Sequence, residues 1–172
     1  MMIFRTQYSG TQARPLPQAL GRSPDFVIGS VDDPYLCRWW VIPRNRFFNI
    51  YLHHVRRDDD DRALHDHPWW NMSILIKGRL WEHFPDGSCR RLRGFRPYPR
   101  RATALHRLEV GSNRDNPKDI PFPKNVWTLF ITGPKVRDWG FQCPEDSPAG
   151  GWRPWQNFVA ENPGEVGRGC GE

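Results

Sequence analysis

Two histidines separated by one residue, His65 and His67, precede an apolar run in the stretch RALHDHPWWNMSILIKG at 62–78. In an extended segment, residues two apart point to the same side, so both imidazoles can reach one point. Asp66 points the other way and is a poor candidate for the same site. Neutral imidazole binds zinc, iron, copper and nickel. The pair predicts part of a metal site, whereas the simpler alternative is two surface histidines near a turn.

A metal site of this kind needs a third donor, and His106 is the candidate. It lies in TALHRLEV at 103–110, a segment with the composition of a β-strand. If that strand lies beside the first pair, three ring nitrogens converge; by itself, His106 is more typical of a hydrogen-bonded core histidine. The adjacent residues His53 and His54 must point to opposite faces, and we expect structural roles for both. We expect His83 to be solvated or part of the barrel wall.

The elements that position these residues are predicted to be short β-strands. Apolar and aromatic segments alternate with turns rich in Gly, Pro, Asn and Asp, and no segment has a convincing helical period. Lys77–Gly78 predicts a hairpin between the third and fourth segments. The pattern favours an all-β barrel or double-sheet jelly roll. Strands are predicted at 38–43, 47–55, 71–76, 79–84, 88–95, 103–110, 126–132 and 136–143.

A chain of 172 residues is typical of one domain. Residues 1–25 contain several prolines with little periodicity, and we expect an irregular arm there. The single domain is predicted at 26–160, and the Gly-rich tail at 161–172 is expected to be disordered.

The histidine stretch resembles the first motif of the cupin superfamily, G(X)5HXH(X)3,4E(X)6G. His65 and His67 fill its two histidine positions, Gly78 fills its last glycine, and Asn71 stands where the motif has glutamate. His106 looks like the histidine of the second motif, PXG(X)2H(X)3N. The other positions of that motif differ here, since its proline, glycine and asparagine are replaced by Arg101, Thr103 and Val110. The run from about residue 38 to 143 is similar to small single-domain cupins of bacteria and phages.

The resemblance implies a cupin-type double-stranded β-helix that binds one divalent metal ion through His65, His67 and His106. Asn71 would be a weak ligand of the metal or would form a hydrogen bond to one of the metal ligands. Such a three-histidine site leaves positions open for a substrate and dioxygen, so iron(II) is favoured over zinc, nickel or manganese, and the expected activity is that of a dioxygenase-type oxidoreductase. Zinc would instead activate water. No catalytic residue is identified.

Two alternatives to an oxidoreductase stay open: a non-catalytic cupin module that binds a sugar or an anionic ligand, and a nucleic-acid-binding accessory protein. Trp69 and Trp70 follow the histidine pair directly and are assigned either to the barrel core or to the wall of a substrate pocket, together with Asn71.

Two charged segments are interpreted as surface. RRDDDDR at 56–62 lacks the spacing of a calcium loop and predicts a solvated turn. RRLRGFRPYPRR at 90–101 predicts an Arg-rich barrel exterior. With Phe95 and Tyr98 it could also contact phosphates and stack bases, which is the basis of the nucleic-acid alternative. The net charge of +6 is compatible with either interpretation.

Four cysteines at 37, 89, 143 and 170 form no Cys-x-x-Cys pair, and the sequence shows no signal-peptide pattern or apolar run long enough for a membrane span. We therefore expect a cytoplasmic protein with four free thiols. The expected partner is a small molecule, and no membrane partner is expected. Nucleic acid stays an alternative partner but not the leading one. A homodimer is left open.

Overall fold

The computed structural model describes residues 17–29, 34–59, 63–111, 124–148, 150–158 and 169–171. Within these residues the secondary structure is almost entirely β, as predicted, and one helical turn follows the last strand. The strands are β1 (Phe26–Gly29), β2 (Pro34–Trp40), β3 (Asn49–Val55), β4 (Leu64–His65), β5 (Asn71–Lys77), β6 (Leu80–His83), β7 (Cys89–Arg91), β8 (Pro97–Arg100), β9 (Arg107–Val110), β10 (Val126–Thr132), β11 (Gly140–Cys143) and β12 (Gly151–Pro154), and the helical turn is α1 (Trp155–Phe158).

The strands form one large and two small antiparallel sheets. The large sheet has the order β1–β2–β3–β10–β5–β8, and the small sheets are β12–β11–β4 and β7–β6–β9. A backbone bridge joins the small sheets: His65 N donates to His106 O at 2.9 Å, and His106 N donates to His65 O at 3.0 Å. Apolar side chains of the large sheet pack against those of β6 and β9. This arrangement confirms the predicted antiparallel jelly roll of the double-stranded β-helix type.

The hairpin predicted at Lys77–Gly78 is wrong. β5 pairs with β10 and β8, whereas β6 pairs with β7 and β9, so the turn carries the chain from the large sheet to a small one. Gly78 has a φ of 94°, and a Cβ at this position would lie 2.7 Å from the Asn125 carbonyl oxygen and 2.9 Å from Val126. Only glycine tolerates this conformation and this close approach.

Most predicted strands are present with shifted ends. The strand predicted at 126–132 coincides with β10, but the one predicted at 103–110 begins only at Arg107, and the one predicted at 88–95 is only Cys89–Arg91. The sequence interpretation missed β8, because PYPR contains two prolines. This strand lies at the edge of the large sheet, where proline's missing N–H removes no essential ladder bond.

A second apolar cluster lies where the C-terminal segment contacts β11, and it includes Ala63, Phe141 and Phe158. Phe141 and Phe158 stack with ring centroids 3.8 Å apart. Cys143 and Cys170 form a disulfide in this cluster, so the prediction of four free thiols is wrong for these two. The sequence does not show that Cys170, 27 positions after Cys143, lies beside it in the folded chain.

Cys37 and Cys89 are free thiols, as predicted, the first buried and the second exposed. Residues 1–16 of the predicted N-terminal arm lie outside the described residues. Residues 161–168 of the predicted tail lie outside them as well. Residues 169–171 form a turn in which Gly169 N donates to Phe158 O at 3.1 Å. Among the described residues, no helix is long and apolar enough to cross a membrane.

Candidate metal centre

The structure brings His65, His67 and His106 together, as the spacing of the first two and the strand character around the third predicted. One ring nitrogen from each residue lies within 4.8 Å of the others. His65 ends β4, His67 follows two residues later, and His106 precedes β9. The backbone bridge between His65 and His106 fixes the spacing of the two segments, so the site lies where the two small sheets meet.

The shortest contact in the triad joins Nε2 of His67 to Nε2 of His106, at 2.8 Å. The ring centroids are 4.8 Å apart for His65 and His106, and 5.2 Å apart for His65 and His67. Two imidazole nitrogens bound to one ion at about 2.0–2.1 Å and at right angles to each other would be separated by about 2.9 Å. The observed pair has the separation of two ligands of one ion, which is also the length of a hydrogen bond between the two rings.

A buried carboxylate, Glu82 of β6, lies behind His106. Its Oε1 is 2.9 Å from His106 Nδ1, which leaves Nε2 of the same ring directed to the triad. Glu82 is completely buried and also binds the guanidinium of Arg100. Arg90 Nη2 donates to Glu82 Oε2 at 2.6 Å. A carboxylate on the second ring nitrogen fixes the tautomer and orientation of a metal-binding histidine and makes it a better donor.

The sequence interpretation missed Glu82, although the strand pattern contains a signal for it. Leu80 and Glu82 are two apart in a strand and therefore share one face. Leu80 is 1% exposed and belongs to the core, so Glu82 must also point inward. An acidic residue on the core face of a strand needs a buried partner.

Asp59 was also missed, because the acidic run at 56–62 was predicted to be a solvated turn. That prediction is wrong for Asp59, which is buried. Its carboxylate accepts hydrogen bonds from the Tyr35 hydroxyl and, at 2.6 Å, from Leu108 N. Asp59 Oδ2 lies 3.7 Å from His65 Nδ1. The acidic segment thus anchors the start of β9 and places a negative charge beside one histidine of the triad.

The electrostatics of the site favour neutral imidazoles. Burial, together with the charges of His106, His65, Arg100 and Arg38, holds the pKa of His67 well below its usual 6.5. Burial lowers the pKa of His106 to about 4, although Glu82 acts in the opposite direction. Burial raises the pKa of Glu82, but hydrogen bonds from His106 and Arg100 outweigh it, so the pKa is low and Glu82 is ionised.

These features fit a divalent metal ion. A histidine must be neutral to bind a metal, and the low pKa values of His67 and His106 provide neutral rings at physiological pH. Glu82 supplies the supporting carboxylate that such histidines need. Three imidazoles suit zinc, iron, copper and nickel, and the donor set alone does not select among them.

The three predicted pocket residues differ in burial and in their contacts. Asn71 is fully buried at the start of β5, and its Oδ1 accepts a 3.4 Å hydrogen bond from Arg100 Nη1. The Trp69 ring centroid lies 6.1 Å from that of His67. Trp70 is 46% exposed and packs against Gly133, where a Cβ would lie 2.0 Å from its Nε1.

The remaining histidines lie outside the triad. His53 and His54 point to opposite faces of β3, as predicted: His53 packs on Phe130 at 4.9 Å, and His54 stacks on Trp127 at 4.4 Å. His83 Nε2 lies 2.7 Å from Glu109 Oε2.

Asp66, the residue between the first two histidines, points away from the site as predicted. It accepts hydrogen bonds from Gly140 N at 2.8 Å, from Trp152 Nε1 at 3.0 Å and from Arg137. These bonds attach the segment that carries His65 and His67 to β11 and β12.

Arg38 of β2 lies on the same side of the large sheet as His53. Its Nε donates to His53 Nε2 at 2.8 Å, and its guanidinium lies 4.7 Å from the Tyr51 ring centroid. Burial lowers the pKa of Arg38 to about 10, so its charge is retained at neutral pH. Phe130 packs on His53 and has its ring centroid 5.9 Å from that of His67. These contacts connect Arg38 to the triad.

The Arg-rich segment at 90–101 is not uniformly exterior, and that prediction is wrong for Arg100, which is buried on Glu82. Arg90 also turns toward Glu82. Arg91 and Arg93 line a cleft of about 750 Å³ on the outside of the barrel. Lys77, Arg79 and uncharged residues at or beside β5, β7 and β10 complete its lining.

Solved structures similar to this chain include cupin and double-stranded β-helix proteins. A double-stranded β-helix protein of Klebsiella pneumoniae is 14% identical with a TM-score of 0.46, covering 62% of this chain and 78% of that one. The cupin_2 domain of an XRE family transcriptional regulator of Enterobacter cloacae is 13% identical with a TM-score of 0.43, covering 59% and 99%. KdgF of a Halomonas species is 12% identical with a TM-score of 0.44, covering 60% and 84%.

No protein-family model and no curated protein matches the chain. At these identities and TM-scores the likeness to solved structures does not extend to activity. The assignment of a candidate metal centre therefore rests on the side chains of this chain: a cluster of one buried and two half-buried histidines in an antiparallel jelly roll, supported by a buried carboxylate.

Proposed function

We propose that this protein binds one divalent metal ion through His65, His67 and His106 and oxidises a small molecule in the manner of a dioxygenase. The convergence of one ring nitrogen from each of these three histidines, all within 4.8 Å of one another, carries the metal assignment. Iron(II) held by these three histidines would have positions left for other ligands and would supply the redox chemistry of dioxygen-dependent oxidation. Iron(II) is preferred over zinc, nickel and manganese.

The chain's own residues would hold and enclose this centre. Glu82 fixes the His106 ring through Nδ1, and Arg100 keeps Glu82 ionised and in place. Phe130 and Trp69 lie 5.9 and 6.1 Å from the His67 ring and would form apolar walls of the pocket. Asn71, bound to Arg100, would support this network through a hydrogen bond.

The proposal is tested by metal analysis of the protein purified without added metal, followed by measurement of oxygen consumption. We expect about one equivalent of iron and oxygen uptake with a suitable substrate, lost together in His106→Ala. His83→Ala is the matched control, because His83 pairs with Glu109 and is not part of the triad. Zinc as the only bound metal would contradict the dioxygenase assignment and point to hydrolysis.

A non-catalytic cupin module is the second candidate, and the guanidinium of Arg38 near the triad favours an anionic ligand over a sugar for it. Ligand binding that does not depend on the metal would support this candidate. A cytoplasmic location and a homodimer remain predictions, and the disulfide between Cys143 and Cys170 removes the free-thiol argument for the first.

A further inference from the structure

Arg38 lies on the inner face of the large sheet, at the end of the barrel that holds the histidines. In the register of this sheet Arg38 is opposite His53, and His53 is opposite Thr128. Directly opposed residues of paired strands share a face. Thr128 and His53 are both buried, so this row of residues faces the barrel interior.

The guanidinium of Arg38 is held in place without a carboxylate. Its Nε donates to His53 Nε2 at 2.8 Å, and the aromatic rings of Tyr51 and Phe26 lie 4.7 and 5.8 Å from its central carbon. Among the described residues, no acidic side chain binds Arg38 and none contacts its two terminal nitrogens. The aromatic contacts therefore orient a planar cation, and no acidic side chain of the described residues occupies its terminal N–H groups.

Within the part of the chain that the structure describes, the two carboxylates beside the triad are already bound elsewhere. Glu82 binds Arg100, Arg90 and His106. Asp59 accepts from the Tyr35 hydroxyl and from Leu108 N. A divalent ion at the histidines would add further positive charge to this end of the barrel.

A partly buried guanidinium without an acidic partner is unfavourable, because the cation loses water and gains no counter-charge. A side chain in this state is a ready binding site for an oxyanion, since the two terminal nitrogens of arginine match the two oxygens of a carboxylate. Lysine would provide the charge without this geometry.

We infer that Arg38 binds the carboxylate of the small molecule that reaches the three histidines, so that the ligand of this site is a carboxylic acid. This inference rests on the proposed function for the role of the histidines. The anion site itself needs only Arg38 and the rings that hold it. The rest of the ligand would extend past Phe130, which lies between His53 and His67.

The experiment is an NMR titration of the purified protein, as prepared and after chelation, with ¹³C-labelled acetate. We expect saturable binding of acetate, weaker binding of phosphate, and no binding of acetamide, which has the same shape without the charge. In Arg38→Gln the affinity for acetate should fall roughly ten- to a hundredfold, because charged hydrogen bonds are lost. Arg38→Lys keeps the charge and should lose less, and it also serves if the glutamine variant folds poorly.

Arg46→Gln is the matched control, because Arg46 is exposed and lies over the ring of its neighbour Phe47, at 4.9 Å. It removes the same charge and should leave acetate binding unchanged. Equal affinity of acetate for the wild type and both Arg38 variants, no acetate binding by the wild type, or tighter binding of phosphate or acetamide would overturn the inference. Arg38-dependent acetate binding by a protein that never holds a metal would support the anion site and refute the proposed metal function.

Discussion

The two ends of the barrel interior differ in chemistry, although the same strands build both. At one end, buried leucines and valines from the large sheet and from the segments of the β7–β6–β9 sheet form the larger apolar cluster. At the other end, the same faces of these strands carry polar side chains near the histidines. The paired positions, two residues apart on one face, are Leu36 and Arg38 in β2, Val55 and His53 in β3, Leu75 and Ser73 in β5, and Val126 and Thr128 in β10.

Because of this difference, we expect the apolar end to contribute mainly to stability and the polar end to metal binding. Apolar side chains need only volume and shape, and each buried leucine or valine contributes about 1.5–3 kcal/mol. The polar end buries charges whose loss of hydration must be offset, and it does so through a specific network of Glu82, Arg100 and His106. We expect substitutions at the apolar end to change stability alone and substitutions at the polar end to change metal binding.

The largest effect on the polar end is expected from the histidines. His65→Ala, His67→Ala and His106→Ala should each lower the metal affinity by at least about tenfold, because three ligands leave no spare donor. Asn71→Ala should have a smaller effect. Metal content by elemental analysis checks this, and full metal retention in His106→Ala would exclude His106 as the third ligand.

Glu82→Gln tests the network behind the triad. The change leaves the buried guanidinium of Arg100 without a counter-charge, so the free energy of unfolding should fall by about 3–5 kcal/mol. Metal affinity should also decrease, because the His106 ring loses its carboxylate. Urea denaturation and metal titration measure the two effects, and a stability equal to that of the wild type would contradict the assigned role of the ion pair.

Leu92→Ala tests the apolar end. Leu92 is 2% exposed within the core cluster, so its truncation should cost about 2–5 kcal/mol of unfolding free energy. The folded variant should hold as much metal as the wild type. A loss of metal from folded Leu92→Ala would show that the two ends are not independent.

Lowering the pH should destabilise the metal-free protein. Burial lowers the pKa of His106 to about 4, against 6.5 for an unperturbed histidine, so between these values the unfolded chain binds a proton that the folded chain does not. Stability therefore falls as the pH decreases from about 6.5 to about 4, with His67 acting in the same direction. Urea denaturation at several pH values measures this, and His106→Gln should show a shallower dependence; greater stability at pH 5 than at pH 7.5 would contradict it.

The smallest effect is expected on the outer surface. Wild-type protein should bind single-stranded oligonucleotides only weakly, with binding lost near physiological salt. Arg91→Gln with Arg93→Gln should remove that weak binding without loss of metal, because both residues line the outer cleft. Fluorescence anisotropy over a salt series measures it. Tight binding at physiological salt would instead make nucleic acid the leading partner.

The sequence by itself determined the all-β class, most strand positions and the three histidines. Alternation of apolar and polar residues reports which side chains share a face, and this local rule places His65 beside His67 and separates His53 from His54. The strand at 126–132 was located completely because its β-branched and aromatic residues are bounded by turns.

Only the tertiary structure decided which segments pair across the barrel. Local periodicity carries no information on partners distant in the chain, so it could not show that β5 and β6 belong to different sheets or that Cys143 and Cys170 form a disulfide. For the same reason Asp59 and Arg38 could not be assigned to the site from the sequence, and Glu82 could be placed on the core face of β6 but not beside His106. Their functions depend on burial and on distances between strands, and both are set by how the sheets pack.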